Sequence, residues 1–386
     1  MTPAKPSLDL LRSLTDEHVL RALIAEPRLT RAEIAARTGI SKPTVGESVR
    51  RLAEAGLLRD TGERTTGRGR VGTYYALAAD LGAALVVGIA PDGVVAEAVD
   101  VHGQVVAREV EEVGRPAHPR HVARALRAVA ERALAGAGPA RLAVVSAADP
   151  VDRSSGRLVH LPDAPFLVGE LSPVEILAPL VDGPVTVDND VNWAARAERA
   201  AAGPGELDDF AYLYLAEGLG CAIVADGQVR RGHGGLAGEI AHVLTRGPGG
   251  RAVAFTEVFA ELRLRRPDST AIDVAALLHA VDTDGDRSAG VLAALAEAIC
   301  GVLAALVALT DPRLVVVGGT WGTHSAVLRA VSHRAAVLPR PVPLRAAQIR
   351  AAPEQAGARD EALRDLRAAI LSQQHAADGR PGNPSR

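Results

Sequence analysis

Two kinds of hydrophobic pattern divide the chain near residue 80. Before that point, apolar residues recur at spacings of three and four, which is typical of amphipathic helices. Between Ser41 and Leu52, for example, Val45, Val49 and Leu52 fall on one stripe. Beyond residue 80, short apolar runs are separated by turn residues, which is typical of strands. The pattern predicts a small helical N-terminal unit followed by an α/β body.

The helical unit contains two short helices joined by a tight turn. Thr30 and Glu33 have the spacing of a capping box, in which the threonine side chain accepts a backbone N–H and the glutamate reaches back to the cap. Gly39 can supply the left-handed residue that ends this helix, and Ser41 can cap the next one. An earlier helix over Asp16–Ala25 would pack beneath them. This arrangement is typical of a helix-turn-helix whose second helix enters the DNA major groove.

The face of the second helix opposite its apolar stripe is polar and partly basic. We expect DNA contacts along this face from Ser41, Lys42, Thr44, Glu47, Ser48 and Arg51. A strand-like hairpin with a tip rich in Gly and Arg follows, which is typical of a wing. Arg68 and Arg70 lie in that tip, and arginines can enter a narrow minor groove, where the negative potential is enhanced. The alternative interpretation is a helical hairpin with a solvated basic loop that contacts protein.

Charge and cysteine content narrow the class of protein. The 386 residues carry a net charge of −3, but residues 1–80 have 13 basic and 10 acidic side chains, whereas the remainder has 30 and 36. A DNA-binding head on an acidic body has this asymmetry. Cys221 and Cys300 are the two cysteines and lie far apart, which argues against a disulfide scaffold. With neither a signal-peptide pattern nor a run approaching about 20 apolar residues, we expect a cytoplasmic protein without a membrane span.

The body shows the same order of elements twice. Its first half is predicted to contain strands over 85–90, 94–100 and 105–110, a helix over 120–135, a strand over 142–147, an irregular excursion over 150–184 and a strand over 185–187. Strands resume near residue 210 and are again followed by helices. We therefore expect a head over 1–80 and a body over 81–373 with a cleft between two lobes, 81–188 plus the C-terminal helix and 189–355. The polar tail over 374–386 is predicted to be disordered.

Segments of the body resemble one known family. They are TVDNDVNWAARAE (186–198), YLAEGLGCAIVADGQVRRGHGGLAGEIAHV (214–243) and LVVVGGTWG (314–322). Their sequences and order resemble the ROK family (repressors, open reading frames and sugar kinases) of the actin-like ATPase superfamily. The resemblance implies an α/β fold: a winged helix-turn-helix followed by a two-lobed, actin-like, sugar-kinase-like body. It also implies sugar-binding roles for Asn189, Asp190, Glu239, His242 and, by a looser match, Glu257.

The chain departs from the kinases of that family where phosphate and zinc would bind. The stretch Gly88–Gly93 lacks the paired glycines and the threonine of the first phosphate loop, and Pro91 removes a backbone donor. Glu217 in the second loop would repel phosphate. The stretch after His242 contains no cysteine, whereas a structural zinc site needs about four protein ligands. We therefore expect no zinc, no cofactor and no phosphoryl transfer, although Asp190 lies where kinase relatives have their catalytic base.

These features predict a sequence-specific transcriptional regulator, a repressor rather than an activator, that senses a sugar or phosphosugar. A homodimer or homotetramer would place two heads on a pseudo-palindromic operator. Two alternatives stay open: a sugar kinase with a DNA-binding head, and a regulator that has lost its ligand and responds to a protein partner. On the second alternative, Asp188 and Asn189 would simply cap the helix that follows them.

Overall fold

The computed structural model describes residues 8–66, 71–115, 117–161, 170–283 and 285–378. Within these ranges the chain forms an N-terminal head and two sheets flanked by helices. The head consists of α1 (Leu8–Ala25), β1 (Leu29–Thr30), α2 (Arg31–Thr38), α3 (Lys42–Glu54), β2 (Leu58–Arg64) and β3 (Thr73–Leu77). Its strands lie in the order β1-β3-β2, so the predicted wing hairpin is present beside α3.

The local signals of the head are confirmed. Thr30 caps α2 in a complete capping box with Glu33, and Gly39 ends that helix in the left-handed conformation at φ 70°. The side chain of Ser41 caps α3 by accepting the backbone N–H of Thr44. Each cap satisfies a backbone group that the helix leaves unpaired, which is worth about 1 kcal/mol. α1 starts at Leu8, eight residues before the predicted start.

The first body sheet belongs to lobe one. Its elements are β4 (Ala83–Ala90), β5 (Gly93–Val99), β6 (Val105–Glu111), α4 (Pro119–Leu134), β7 (Ala140–Ala147), α5 (Pro173–Leu177) and β8 (Val185–Asn189). The strand order is β6-β5-β4-β7-β8, with an antiparallel meander over β4 to β6 and parallel pairs β4–β7 and β7–β8. The predicted meander is confirmed, whereas the stretch 150–184 is not wholly irregular because it contains α5.

The second sheet belongs to lobe two and repeats this plan. The elements of lobe two are α6 (Asp190–Ala202), β9 (Phe210–Leu215), β10 (Leu219–Ala225), β11 (Gln228–Val229), β12 (Leu244–Arg246), β13 (Ala252–Ala254), α7 (Phe255–Glu261), α8 (Val274–Asp282), α9 (Asp286–Thr310), β14 (Leu314–Gly318), α10 (Ser325–Ala335) and β15 (Leu344–Ala346). The last helix, α11 (Pro353–Asp378), packs on lobe one, and β12 and β13 form a separate hairpin. The order β11-β10-β9-β14-β15 again combines antiparallel hairpins with parallel strands. The pattern of residues did not reveal the small β12–β13 hairpin.

Two helices of the body correct our expectations. α9 is long and apolar enough, by length and composition, to cross a membrane, so the expectation that no run approaches that length was wrong. In the fold, Leu295, Ile299 and Leu303 of α9 are fully buried in the lobe-two core. α11 runs from Pro353 to Asp378, so residues 374–378 of the predicted disordered tail are helical. Residues 379–386 lie outside the described part of the chain.

One apolar core joins the head to lobe one. Buried Leu20 and Leu23 of α1 belong to the same cluster as Val144 of β7 and Leu366 and Ile370 of α11. Nδ1 of His102, in the β5–β6 turn, also lies 3.3 Å from the carbonyl oxygen of Ile24. The head is therefore packed against the body across an apolar interface and is not merely tethered by a linker.

Candidate functional site

The exposed face of α3 carries part of the predicted DNA-contacting set. Ser41, Lys42, Thr44 and Glu47 are all exposed on this helix or at its cap. The Glu47 carboxylate accepts a hydrogen bond from the Arg50 guanidinium at 2.6 Å, and this interaction holds the pKa of Glu47 below its usual value. Arg50 is itself exposed and also donates to Glu54 at 3.2 Å. Arg50 was not among the predicted contacts, although its spacing of three and four from two glutamates indicated such a pairing.

Ser48 and Arg51 do not belong to the freely exposed face. Ser48 is fully buried and donates its hydroxyl hydrogen to the Asp16 carboxylate, so its predicted role as a DNA contact was wrong. Arg51 donates to the same carboxylate from Nε at 3.1 Å and from an Nη at 2.6 Å. Asp16 is itself buried in α1. These two residues therefore fix α3 against α1 through Asp16, a positioning contact that the sequence pattern did not reveal.

The base of the wing carries two arginine–tyrosine contacts. The Arg31 guanidinium lies 5.0 Å from the ring centre of Tyr75 and donates to its hydroxyl at 2.7 Å. Arg28 lies 5.2 Å from the ring centre of Tyr74. These contacts keep basic groups beside the wing strands. The predicted minor-groove contacts Arg68 and Arg70 lie outside the described residues.

A cavity of about 110 Å³ opens between the two lobes where β8 meets α6. Among the predicted sugar ligands, Asn189, Asp190 and Glu239 line it. Asn189 caps α6 by accepting the backbone N–H of Val191, and its amide donates to the carbonyls of Ala147 and Asp149 at 3.3 Å. Its amide is thus engaged in structural hydrogen bonds. Asp190 follows directly and is half-buried at the cavity wall.

Gly238 determines where Glu239 lies. It adopts a φ of +99°, and a Cβ at this position would overlap the carbonyl oxygen of Cys221. Only glycine adopts such a conformation readily, so the sequence Gly238-Glu239 positions the carboxylate rather than merely forming a turn. Within the described residues, no hydrogen bond or ion pair reaches the Glu239 carboxylate. Its carboxylate lines the cavity without a compensating group from the described residues.

Other carboxylates surround Asp190. Asp149 is 4 % exposed, and burial raises its pKa to about 7. Burial, with smaller contributions from Glu354, Glu239 and Asp149, raises the pKa of Asp190 to about 8. Burial and the charge of Asp149 raise the pKa of Glu239 to about 7, and burial also raises that of Glu354. Asp149, Asp190 and Glu239 therefore gain or lose protons near neutral pH. Asp149 and Glu354 were not among our predicted site residues, because they come from distant parts of the chain.

Asp188 behaves differently although it adjoins this cluster. Its buried carboxylate pairs with Arg196 at 2.8 Å and with Arg231 at 3.1 Å, and it accepts from the Asn192 amide at 2.9 Å. Those partners satisfy its charge, so it supports the wall from behind and does not act as a ligand.

The remaining predicted ligands, His242 and Glu257, lie away from the cavity wall as the described residues define it. His242 ends a short 3₁₀ helix over Ile240–His242 and is exposed. Glu257, on α7, is half-exposed and pairs with Arg265 at 2.8 Å. The short helix after Glu239 leaves His242 at the surface, and the ion pair with Arg265 holds Glu257 away from the cavity wall. The structure thus brings together Asn189, Asp190 and Glu239 but not the other two residues.

An ion-pair cluster lies where the two expected phosphate loops face each other. Arg115, in the loop after β6, pairs with Asp92 of the β4–β5 turn at 2.7 Å and with Glu217 of the β9–β10 turn. Arg266 also pairs with Glu217, at 3.2 Å. Arg115 therefore links the lobes across the cleft, beside a second cavity of about 440 Å³ that Asp92, Glu217 and Arg266 help to line. Neither arginine was among the predicted site residues, because nothing in the local sequence shows a pairing between lobes.

The described part of the chain offers little for metal-binding or disulfide chemistry. In those residues, His, Cys, Asp and Glu side chains form no group of three or more that could hold a metal ion. Cys221 and Cys300 are buried as free thiols, and burial raises the pKa of Cys221 to about 12. The cavity chemistry thus comes from carboxylates, amides and hydroxyls.

Comparison with known proteins identifies the family. Residues 92–359 match the profile of the ROK family, and residues 12–59 match that of a winged helix-turn-helix DNA-binding domain. The chain belongs to the ROK family. A ROK family transcriptional regulator, described as a homolog of the E. coli MLC protein, has a similar crystal structure with a TM-score of 0.62 at 17% identity, covering 94% of this chain and 98% of that one.

Two kinases resemble part of this chain. A ROK family glucokinase from Streptomyces griseus, solved with glucose and AMPPNP, has a TM-score of 0.54 at 21% identity and covers 72% of this chain and 99% of its own. An N-acetylmannosamine kinase from Salmonella heidelberg (strain SL476) is 30% identical over 178 residues, which is 44% of this chain. The chain spans 60% of the length of that kinase. The ROK fold is therefore shared with regulators and kinases alike.

Replacing Asp149 by asparagine is expected to stabilise the body in a pH-dependent way. The folded-state pKa of about 7 exceeds the ordinary value of 3.8. Between these values the folded state holds a proton that the unfolded state has lost, so the Asp149 contribution to stability falls as pH rises from about 4 to about 7 and then levels off. The gain from asparagine should be small near pH 4 and reach about 1 kcal/mol or more at pH 7.5, since one pKa unit corresponds to about 1.4 kcal/mol.

Melting temperatures of the two proteins at pH 5 and pH 7.5 measure this difference. Asp152→Asn is the matched control, because Asp152 is exposed and accepts hydrogen bonds from Ser154 and Ser155. A gain that is equal at both pH values would show that Asp149 does not carry a raised pKa.

Proposed function

We propose that this ROK protein is a DNA-binding transcriptional regulator, acting as a repressor, whose cleft binds a sugar that alters DNA binding. The observation that carries the proposal is the continuous packing of the winged head onto the lobe that borders the cleft. A helix-turn-helix with an exposed polar face supplies the DNA-binding element. A cavity with an amide and carboxylates supplies groups that pair with sugar hydroxyls.

The route between these two sites begins at α6. Its N-terminus carries Asp190 on the cavity wall, and Trp193 one turn later donates to the Val145 carbonyl at 3.0 Å. A Cβ on Gly357 of α11 would overlap the backbone of Trp193, so the two helices are in close backbone contact. α11 in turn shares its apolar core with α1. Asp16 of α1 holds α3 through Ser48 and Arg51. A shift of α6 on ligand binding would therefore reach the recognition helix through packed elements.

Such coupling requires a ligand that binds two arrangements of the protein with different affinity. We infer that a dimer or tetramer presents two heads to a pseudo-palindromic site in the cytoplasm, with residues 1–80 as the head and 81–373 as the body. The direct test is binding of the purified protein to its own upstream DNA at fixed salt, with and without a panel of sugars. Release by one sugar supports the proposal, and DNA affinity that is the same with every bound sugar contradicts it.

Replacing Lys42 by alanine is expected to weaken binding to operator and to unrelated DNA by a similar factor. Lys42 is exposed in the first turn of α3, where a phosphate contact is suitable. Loss of one such contact lowers the slope of log affinity against log salt by about one. Fluorescence anisotropy at several salt concentrations measures the slope, and Arg127→Ala on the exposed side of α4 is the control. An unchanged slope would place Lys42 outside the DNA interface.

Sugar phosphorylation is a second candidate because a kinase relative matches 178 residues of this chain and the raised pKa of Asp190 suits a general base. The ion pairs of Glu217 with Arg115 and Arg266 lie between the two loops that resemble the phosphate loops of the kinases, and the Glu217 carboxylate would repel a phosphate there. We therefore favour regulation without catalysis. An assay coupled to ADP release, run with ATP and the sugar panel, tests the choice, and sugar-dependent ADP formation would favour the kinase.

A regulator that answers to a protein partner instead of a sugar is the remaining alternative. It would bind operator DNA, show no change in melting temperature with any sugar, and release DNA only when the partner is added. The same DNA-binding experiment separates it from the sugar sensor.

A further inference from the structure

The cleft between the lobes contains two adjoining cavities, of about 110 Å³ and about 440 Å³. Small-molecule sites in proteins usually have volumes of about 300–1,000 Å³. The smaller cavity, which holds the sugar-binding candidates, falls below this range, whereas the larger one lies within it. Among the described residues, five line both cavities and form their common wall: Pro91, Asp190, Tyr214, Ala216 and Glu217. A ligand confined to the smaller cavity would leave most of the cleft unfilled.

The wall of the larger cavity is mostly apolar but carries a few polar groups. Strands β4 and β5 and helix α8 contribute the apolar side chains of Ile89, Val95 and Val274. The hydroxyl of Thr320, just after β14, and the amide of Gln355, on α11, are among the polar groups. A sugar ring suits such a wall, because its C–H groups form apolar faces and its hydroxyls donate and accept hydrogen bonds.

Gln355 provides a second observation that points to a ligand. Its side chain is 8 % exposed, and within the described residues its amide Nε2 has no hydrogen-bond partner. The side chain lies against β4, where a Cβ on Gly88 would come within 2.9 Å of Oε1 of Gln355. Buried amides in proteins are nearly always paired, since an unpaired one is destabilising. The last torsion of a glutamine side chain is soft, so this amide can turn toward an oxygen atom of a ligand in the cavity.

The charges on this wall favour an uncharged ligand. Arg108 and Arg266 are the basic side chains that line the larger cavity in the described part of the chain. Arg108 pairs with Glu97 at 3.4 Å, and Arg266 pairs with Glu217 at 3.2 Å. Carboxylates of the protein therefore engage both guanidinium groups. A phosphate would have to break one of these pairs, whereas a hydroxyl would not.

We propose that the effector is a neutral disaccharide that spans both cavities, with one ring beside Asp190 in the smaller cavity and the other beside Gln355 in the larger one. This inference rests on the proposed function, because it names the ligand of the same cleft. The bond between the rings passes the common wall at Tyr214. An oxygen of the second ring accepts a hydrogen bond from the Gln355 amide, and the apolar side chains cover its C–H face. A monosaccharide in the smaller cavity leaves that amide unpaired.

Isothermal titration with matched pairs of ligands tests the proposal at fixed pH and salt. Each pair consists of a disaccharide and the methyl glycoside of its non-reducing sugar: cellobiose with methyl β-glucoside, maltose with methyl α-glucoside, and lactose with methyl β-galactoside. In at least one pair the disaccharide should bind about tenfold tighter or more, because the second ring adds buried surface and hydrogen bonds.

The contrary outcomes are distinct. If every disaccharide binds no better than its methyl glycoside, the inference is wrong while sugar sensing stands. If phenyl β-glucoside binds as tightly as the best disaccharide, the second group is an apolar ring and the disaccharide assignment is wrong. If neither these ligands nor the panel of sugars binds, the sugar-sensing function fails as well.

Thr320→Phe tests the place of the second ring. Thr320 is exposed where it lines the larger cavity, so a larger side chain can be accommodated there and its ring would take up space in that cavity. The ratio of disaccharide affinity to methyl glycoside affinity should fall to about one. Thr283→Phe is the matched control, because Thr283 is also exposed and lines neither cavity, and its ratio should equal that of the unaltered protein. A ratio unchanged by Thr320→Phe overturns the placement.

Gln355→Met tests the hydrogen bond to the second ring. Methionine has a similar length and flexibility but donates no hydrogen bond. The affinity ratio should fall about threefold to tenfold, as expected for the loss of one uncharged hydrogen bond. The melting temperature of the variant checks that it is folded. An unchanged ratio in the folded variant would show that Gln355 has only a structural role and would overturn its pairing with the ligand.

Discussion

Replacing Asp16 by alanine is expected to weaken operator binding by about tenfold or more and to destabilise the head by about 3 kcal/mol. The buried Asp16 carboxylate accepts hydrogen bonds from both Ser48 and Arg51 of the recognition helix. Removing one partner of a buried charge pair costs about 3–5 kcal/mol, and the partly exposed Arg51 would recover some of this by solvation. With α3 no longer fixed to α1, its DNA-contacting face would lose its defined orientation.

Anisotropy with labelled operator DNA and thermal unfolding measure the two effects. Glu17→Ala is the matched control, because Glu17 follows Asp16 and pairs with the exposed Arg21 of its own helix at 2.7 Å. Exposed pairs on one helix contribute about 0.5 kcal/mol at most. If the Asp16 and Glu17 variants bound DNA equally well, Asp16 would have no role in holding the recognition helix.

Replacing Gly238 by alanine is expected to abolish the response to sugar while leaving operator binding in place. The left-handed φ of +99° strains any other residue, and the added Cβ would overlap the Cys221 carbonyl oxygen. The loop would have to move and would carry the Glu239 carboxylate away from the cavity. The apolar cluster that holds the head does not include the Gly238 loop or Cys221, so the head should keep its affinity for DNA. The variant would therefore remain bound to operator at sugar concentrations that release the unaltered protein.

Gly234→Ala is the control for this experiment. Gly234 lies four residues earlier in the same loop, its φ lies outside the left-handed region, and a Cβ there would meet nothing within 4 Å. DNA release is measured as the sugar concentration that displaces half of the operator. Loss of sugar response in both variants would indicate a general sensitivity of the loop, and retention in both would exclude Glu239 from sensing.

Capping signals and helical periodicity predicted the helices of the head correctly, but they assigned the buried Ser48 to the exposed face of α3. The capping signals at Thr30 and Ser41 concern neighbouring residues, so the sequence alone is sufficient to locate the helix ends. Ser48 lies on the polar stripe by helical spacing, but its partner Asp16 is 32 residues earlier in another helix. A buried polar pair looks the same in sequence as two solvent-exposed residues. Periodicity therefore assigned Ser48 to the DNA side.

In the cleft, too, the sequence predicted some site residues but not those whose role depends on contacts between distant segments. The family resemblance led to Asn189, Asp190 and Glu239, which the fold brings to one cavity. It could not reveal Asp149, whose significance depends on lacking a partner, or Arg115, whose partners lie in both lobes. Such features depend on how distant segments meet. His242 and Glu257 lie in segments whose order matches the family, yet neither lines the cavity. His242 follows the turn after Glu239, and Glu257 pairs with Arg265.

The shared core of α1 and α11 has a consequence for how the protein is made. Leu20 and Leu23 near the start of the chain are covered by Leu366 and Ile370 near its end. During synthesis, the part of the apolar face of α1 that packs against α11 therefore stays exposed until α11 has been made. Products that end early would expose this face and are expected to be cleared as incompletely folded chains. A head made without α11 is therefore expected to be less stable than the head of the full chain.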